Sequence, residues 1–213
     1  MPHTRFDRFL PASGILAGLA LAGGIFATHD EPSLEAHDAQ PYVDWAQAHH
    51  TQLGVSAVCG ALFTFLMLMF AAQLRASIRA GEGGESTYSS VAFAGGIGVA
   101  LSLGGMSLIS AAQASADATA AHTLAFLADA AWLPWAASSG AMLLGTGLGA
   151  LRTVALPKWL AVVTVVLGVL SVTGPTGIAV FVVTPLWLIA TGVVLARRQI
   201  TAGELQREAL LAR

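Results

Sequence analysis

The sequence predicts an all-α fold: one membrane domain over residues 1–213, a polytopic bundle of six transmembrane helices with both termini cytoplasmic. Three observations predict it. Hydrophobic residues make up 55% of the chain and charged residues only 10%, where a soluble domain carries about a quarter charged. Six apolar runs, over residues 10–28, 54–74, 91–112, 130–151, 159–172 and 177–196, approach the ~20 residues that a helix needs to cross a bilayer. The ten Lys and Arg residues fall only in alternate gaps: Arg5 and Arg8, Arg75 and Arg79, Arg152 and Lys158, then Arg197, Arg198, Arg207 and Arg213. Because basic loops stay on the cytoplasmic side, the alternation both orients the chain and checks the count of spans.

The first run follows Arg5 and Arg8 as a signal peptide would, but it is longer than the usual signal core. Its Gly14, Gly18 and Ala22 form a small-residue stripe suited to helix packing, so it is read as a membrane helix. The outer loop, 29–53, is broken by Pro32 and Pro41. Its second part is expected to be helical and to extend the second span, with Tyr42 and Trp45 at headgroup level. The second span runs into Arg75 and Arg79, and the inner loop 75–90 contains the flexible stretch GEGGES.

The third span carries the clearest packing signal. Gly95, Gly98, Ser102 and Gly105 recur at helical steps on one face, and Gly96, Ala100 and Gly104 make a second stripe about 100° away. In lipid, burial of apolar side chains gives no preference between helix and acyl chain, so close backbone approach supplies the association. The third helix is therefore expected to be a hub touched on two sides. Ser138, Gly145 and Gly149 repeat the device in the fourth span, where Trp132 and Trp135 mark the outer interface. Pro157 opens the fifth helix, and the turn at Gly174-Pro175-Thr176-Gly177 makes the fifth and sixth a close antiparallel pair. Pro185 is expected to kink the sixth. The cytoplasmic tail, 197–213, contains TAGE, a capping-box pattern that predicts a separate short amphipathic helix.

The charge distribution is one-sided in a second way. Asp30, Glu31, Glu35, Asp38, Asp44, Asp117 and Asp129 lie in the outer gaps with His29, His37, His49, His50 and His122. A divalent metal or haem could bind there through His49 or His50 with His122, although no HxxxH or CxxC spacing occurs, and neighbouring residues on a helix diverge. The plainer reading, which predicts no cofactor, is a hydrated loop. Asp129 is either a proton or substrate site inside the bilayer or an acid in the first turn of the fourth helix, favoured by the helix dipole. The second is preferred, because a span counted back from Arg152 ends near Trp132. Cys59 has no partner for a disulfide. Lys158 stands at a membrane edge, and no Walker, GxSxG or HExxH motif occurs, which weighs against an enzyme. No basic patch suits nucleic acid.

The stretches FAAQLRASIRAGEGGES, SVAFAGGIGVA, GTGLGALRTVALPKWLAVVTVVLGVL and TPLWLIATGVVLARR resemble a broad family of uncharacterised bacterial six-helix integral membrane proteins, a domain of unknown function. The resemblance implies a multi-pass protein of the bacterial inner membrane and brings no activity. The function expected is non-enzymatic: a structural, accessory or sensory subunit in the lipid bilayer, meeting a membrane-protein partner or a second copy through helix contacts. The alternatives are a small-molecule transporter or channel, and a redox protein with metal or haem on the outer histidines.

Overall fold

Long apolar stretches produce long helices that run through Pro185 and through the paired glycines Gly95-Gly96 and Gly104-Gly105. The computed structural model describes residues 10–30, 40–83, 86–113, 115–174 and 176–211, with the side chains of Pro11, Tyr42, Ala118, His122, Asp129, Ile200 and residues 202–211 outside that description. Among the described residues there are eight helices and no strand: α1 (Leu10–Ala27), α2 (Gln40–Ala48), α3 (His50–Arg79), α4 (Thr87–Gln113), α5 (Ala118–Ala130), α6 (Trp132–Thr153), α7 (Lys158–Val172) and α8 (Thr176–Leu211). The Glu82 carboxylate caps α4, accepting from the Tyr88 and Ser89 N–H groups at 2.9 and 3.1 Å, a favourable place for negative charge. Asp117 does the same for α5, at 2.8 Å from the Ala120 N–H. Pro157 is the N-cap of α7, and Gly174, at φ +76°, turns the chain into α8.

Six helices close into a ring in chain order: α1 packs on α3, α3 on α4, α4 on α6, α6 on α7, α7 on α8, and α8 back on α1. Consecutive ring helices alternate in direction. One end therefore gathers Arg75, Arg79, Arg152, Lys158, Arg197 and Arg198, and Arg198 donates a hydrogen bond to the Val154 carbonyl across it. The other, acidic end carries α2 and α5, which pack on each other through Ala46 and Ala125 together with Leu53 of α3. Among the described residues three helices are long and apolar enough to cross a membrane: His50–Arg79, Thr87–Gln113 and Thr176–Gln199 of α8. Shorter apolar helices cover Ala12–Ala27 and Lys158–Val172. Large apolar side chains such as Phe65, Leu101, Leu108, Leu133 and Leu186 stand exposed around the outside, a belt that soluble monomers rarely show.

Glycine sets how closely the ring helices approach. A Cβ added at Gly95 would lie 2.7 Å from both Met142 Cα and the Ser138 carbonyl of α6, and one at Gly145 2.6 Å from the Ala92 nitrogen of α4. Gly98 meets Ser138, and Gly149 meets Ile78 and Tyr88. The second stripe of α4 faces α3, with Gly96 against Ala71 and Gly104 against Thr64. Thr64 reinforces that seam, donating to its own helix at Gly60 and lying 3.2 Å from the Ala100 carbonyl. Gly105 differs from its expected place: nothing lies within 4 Å of its Cβ position, because α3 and α6 are already engaged through Gly104 and Gly98. Ser102, also expected on that face, is half-buried.

Several boundaries differ from those read in the sequence, each for a local reason. The segment after Pro41 is a helix of its own, interrupted at His49 (φ −114°, ψ 29°) before α3 begins. The apolar stretch before Trp132 does not belong to the fourth span: the chain turns at Ala131 and leaves α5 as a separate helix. α8 runs through the TAGE sequence, where the Thr201 hydroxyl bonds back to the Arg197 carbonyl at 3.2 Å instead of capping a new helix. Inside α8, the carbonyl of Pro185 faces Gly18 of α1. Trp135, expected at the interface, is fully buried against Trp132 and Phe181, with edge-on rings 5.4 and 5.2 Å away.

Candidate functional site

The acidic half of the ring holds a half-open cavity of about 720 Å³. Its deepest walls are Leu21 of α1, Phe63 of α3 and Leu103 of α4, with Val182 of α8 beside them. Toward the acidic end the wall becomes polar on one side only. Ser107, Ser110 and Gln113 follow one another on successive turns of α4, facing Ser56 of α3 and Thr28 and His29 at the end of α1. The opposite wall is aromatic and aliphatic: Trp132 of α6 with Ile178 and Phe181 of α8. Trp132 and Phe181 meet edge to face at 4.7 Å. Ala125 and Ala128 of α5 close the end, and Ala125 also belongs to the small core that α5 shares with α2 and α3.

No Asp, Glu, Lys or Arg lines this space among the described residues. A cavity of this size, mostly apolar with a few convergent polar groups, is the usual form of a small-molecule site. Toward the basic end the interior closes. Phe70 and Trp187 cross edge-on at 6.2 Å, and the Trp187 indole donates to the Thr164 hydroxyl at 2.8 Å. On the acidic side the α6–α7 seam is held where Ser139 and Ser171 meet each other and Ser171 reaches the Ala136 carbonyl at 3.1 Å. Among the described residues, Trp135 Nε1, Thr146 Oγ1 and Thr191 Oγ1 are fully buried without a hydrogen-bond partner.

Of the sequence-predicted ligands, His49 and His50 fall at the break between α2 and α3. His49 is stacked on Trp45 at 4.9 Å, with Nδ1 2.8 Å from the Trp45 carbonyl. Its Nε2 lies 3.8 Å from the Asp30 carboxylate, which ties the end of α1 to that break when the imidazole is protonated. His50 opens α3 and is exposed. The side chains of His122 and Asp129 lie outside the described residues. The backbone places Asp129 in the last turn of α5, not in the first turn of α6. Among the described residues no group of three His, Cys, Asp or Glu side chains converges.

The cavity residues were hidden in the sequence because serines and one glutamine in an apolar helix look like ordinary packing residues. The available signal was the repeat at Ser107, Ser110 and Gln113, which continues α4 after its glycine stripes end. No family model matches the chain, and no curated protein or solved structure shows detectable similarity to it. Function is therefore argued from this chain's own geometry.

Proposed function

We propose that this chain is a bacterial inner-membrane protein that crosses the bilayer six times with both termini cytoplasmic. It acts as a non-enzymatic accessory or sensory subunit by holding a small molecule in the cavity of its outer half. The cavity is the observation that carries this reading: a pocket of about 720 Å³ without charge among its described lining residues, closed on the basic side by Phe63, Leu103 and the Phe70–Trp187 contact. Six crossings are supported by the ring, in which α6 and the shorter apolar helices α1 and α7 pack side by side with the three long ones. Retention of Arg and Lys at one end supports the orientation. The closed floor favours binding over passage, and so favours a subunit over a channel. The exposed apolar belt leaves room for a membrane-protein partner or a second copy.

Two measurements test the proposal. In a Cys59→Ala background, Ser115→Cys should react with a membrane-impermeant thiol reagent in intact cells and Ala80→Cys should not. Labelling of Ala80→Cys from outside overturns the orientation. Native mass spectrometry of the purified protein should reveal a retained small molecule that is lost from a Gly24→Leu, Ser56→Leu variant of unchanged helicity. Identical retention by both proteins removes the cavity as the site.

A further inference from the structure

The hydrogen bonds around the cavity show which partner its polar side can accept. The Ser107 hydroxyl donates to the Leu103 carbonyl at 2.8 Å, and Ser110 donates to Met106 at 3.1 Å. Thr28 points its hydroxyl at the Gly24 carbonyl, 3.4 Å away. Each of these oxygens has committed its one proton to its own helix and keeps lone pairs that can only accept. His29 behaves alike. Its Nδ1 lies 2.9 Å from the Phe26 carbonyl, which can only accept, so Nδ1 carries the proton and Nε2 of the neutral ring is an acceptor. Among the described residues Ser56 makes no such bond and can act either way. The polar edge is thus weighted toward acceptance. It is uncharged among the described residues and faces the Trp132–Phe181 wall.

We infer that the cavity selects a neutral lipophile bearing hydroxyl donors: an alcohol or phenol whose apolar body lies against Trp132, Phe181 and Ile178 and whose O–H groups donate to Ser107, Ser110, Thr28 and His29. A ligand offering only carbonyl or ether oxygens would set acceptor against acceptor and leave those groups unsatisfied away from water, which costs more than a hydrogen bond gains. An organic cation or carboxylate finds no counter-charge among the described lining residues. This inference rests on the proposed reading of the cavity as a small-molecule site.

The test uses 4-octylphenol and its methyl ether, 4-octylanisole, which differ in the donor alone apart from one methyl group. Each is titrated into the full-length protein in nanodiscs, and binding is read from tryptophan fluorescence, with concentrations corrected for partition into the bilayer. A Trp132→Phe variant identifies the part of the signal that comes from the cavity. The phenol should bind about ten-fold more tightly than the ether, the effect of one to two well-placed hydrogen bonds. In a Ser107→Ala, Ser110→Ala variant the ether should bind as before and the preference should fall to within about two-fold, which separates hydrogen bonding from the bulk of the methyl group. Equal binding of phenol and ether to the wild type overturns the donor selectivity and leaves the cavity as a site. Binding of neither removes the site itself, and a preference that survives both serine substitutions overturns the assignment of the acceptors.

Discussion

The two ends of the ring are built from the same helices by different means. At the basic end backbones meet: Gly18 lies against the Pro185 carbonyl of α8, Gly95 against the Met142 backbone, and Gly147 within 2.8 Å of the Val165 nitrogen, all measured from an ideal Cβ. Toward the acidic end α1 stands further from α3, whereas α4 stays close to it, with the Ser107 side chain against Gly60. Gly23 and Gly24 come only to 3.3 and 3.6 Å from Cys59, and Gly105 meets nothing. The α6–α7 seam stays tight throughout, with Gly140 at 2.5 Å from Val172 and Gly168 at 2.9 Å from Leu144. The cavity lies between the end of α1 and the α3–α4 pair, with α8 beside it, and α7 takes no part in its described lining. A glycine therefore marks close approach only where a partner helix has been brought to it. The same residue type on the same helix, ten positions further along, lines nothing.

This contrast is open to direct test. Gly95→Leu should destabilise the protein by about 3 kcal/mol, near the top of the range for overpacking, because the obstructing atoms are backbone and cannot rotate away. Gly105→Leu should leave the melting temperature in detergent within experimental error of wild type. Similar losses for both would erase the distinction between the two ends.

Polar groups inside the tight half sharpen the comparison at a smaller scale. Thr164→Val removes the acceptor of the Trp187 indole and leaves a buried N–H unsatisfied, at a cost of ~1–3 kcal/mol. Thr146→Val removes a buried hydroxyl that already has no partner and should be neutral or stabilising by up to about 1 kcal/mol. Denaturant or thermal unfolding of the two variants in one detergent checks the sign. A loss of equal size at Thr146 would mean that its hydroxyl is satisfied in the folded protein.

The smallest effect concerns the basic end itself. Val154 ends α6 in the left-handed region at φ 52°, a strained backbone for a β-branched residue. Its side chain is largely exposed, so little packing is lost with it. Val154→Gly should stabilise by about 1 kcal/mol, relief of strain exceeding the extra freedom that glycine gives the unfolded chain. A lower melting temperature would show that the valine side chain contributes more than its backbone costs.

The helical class, the apolar stretches and the small-residue faces of α4 were legible because each depends on residues one or a few turns apart. Gly95 with Gly98, and Gly96 with Gly104, declare two faces of one helix before any neighbour is known. The same local reading misplaced the helix ends. The break at His49, the turn at Ala131 and the uninterrupted course of α8 through TAGE are not set by a single strong cap. At TAGE, Thr201 had two local options, to cap a new helix or to bond back to Arg197, and it takes the second. Trp135 read as an interfacial aromatic because its neighbours in sequence are apolar on all sides; its burial depends on Phe181, far along the chain.

By itself, then, the sequence determined what could be settled by local spacing: an all-helical chain, long apolar stretches, and bases segregated into alternate gaps. The ring order was decided by tertiary structure, since each seam needs glycine or serine on one helix to meet a particular partner on another. So was the cavity. Ser56, Ser107 and Ser110 come from α3 and α4 and His29 from the turn after α1, and their shared space exists because α1 does not close on α3 there as it does at Gly14. A lining is a property of the gap between surfaces, and helical periodicity describes only one surface at a time.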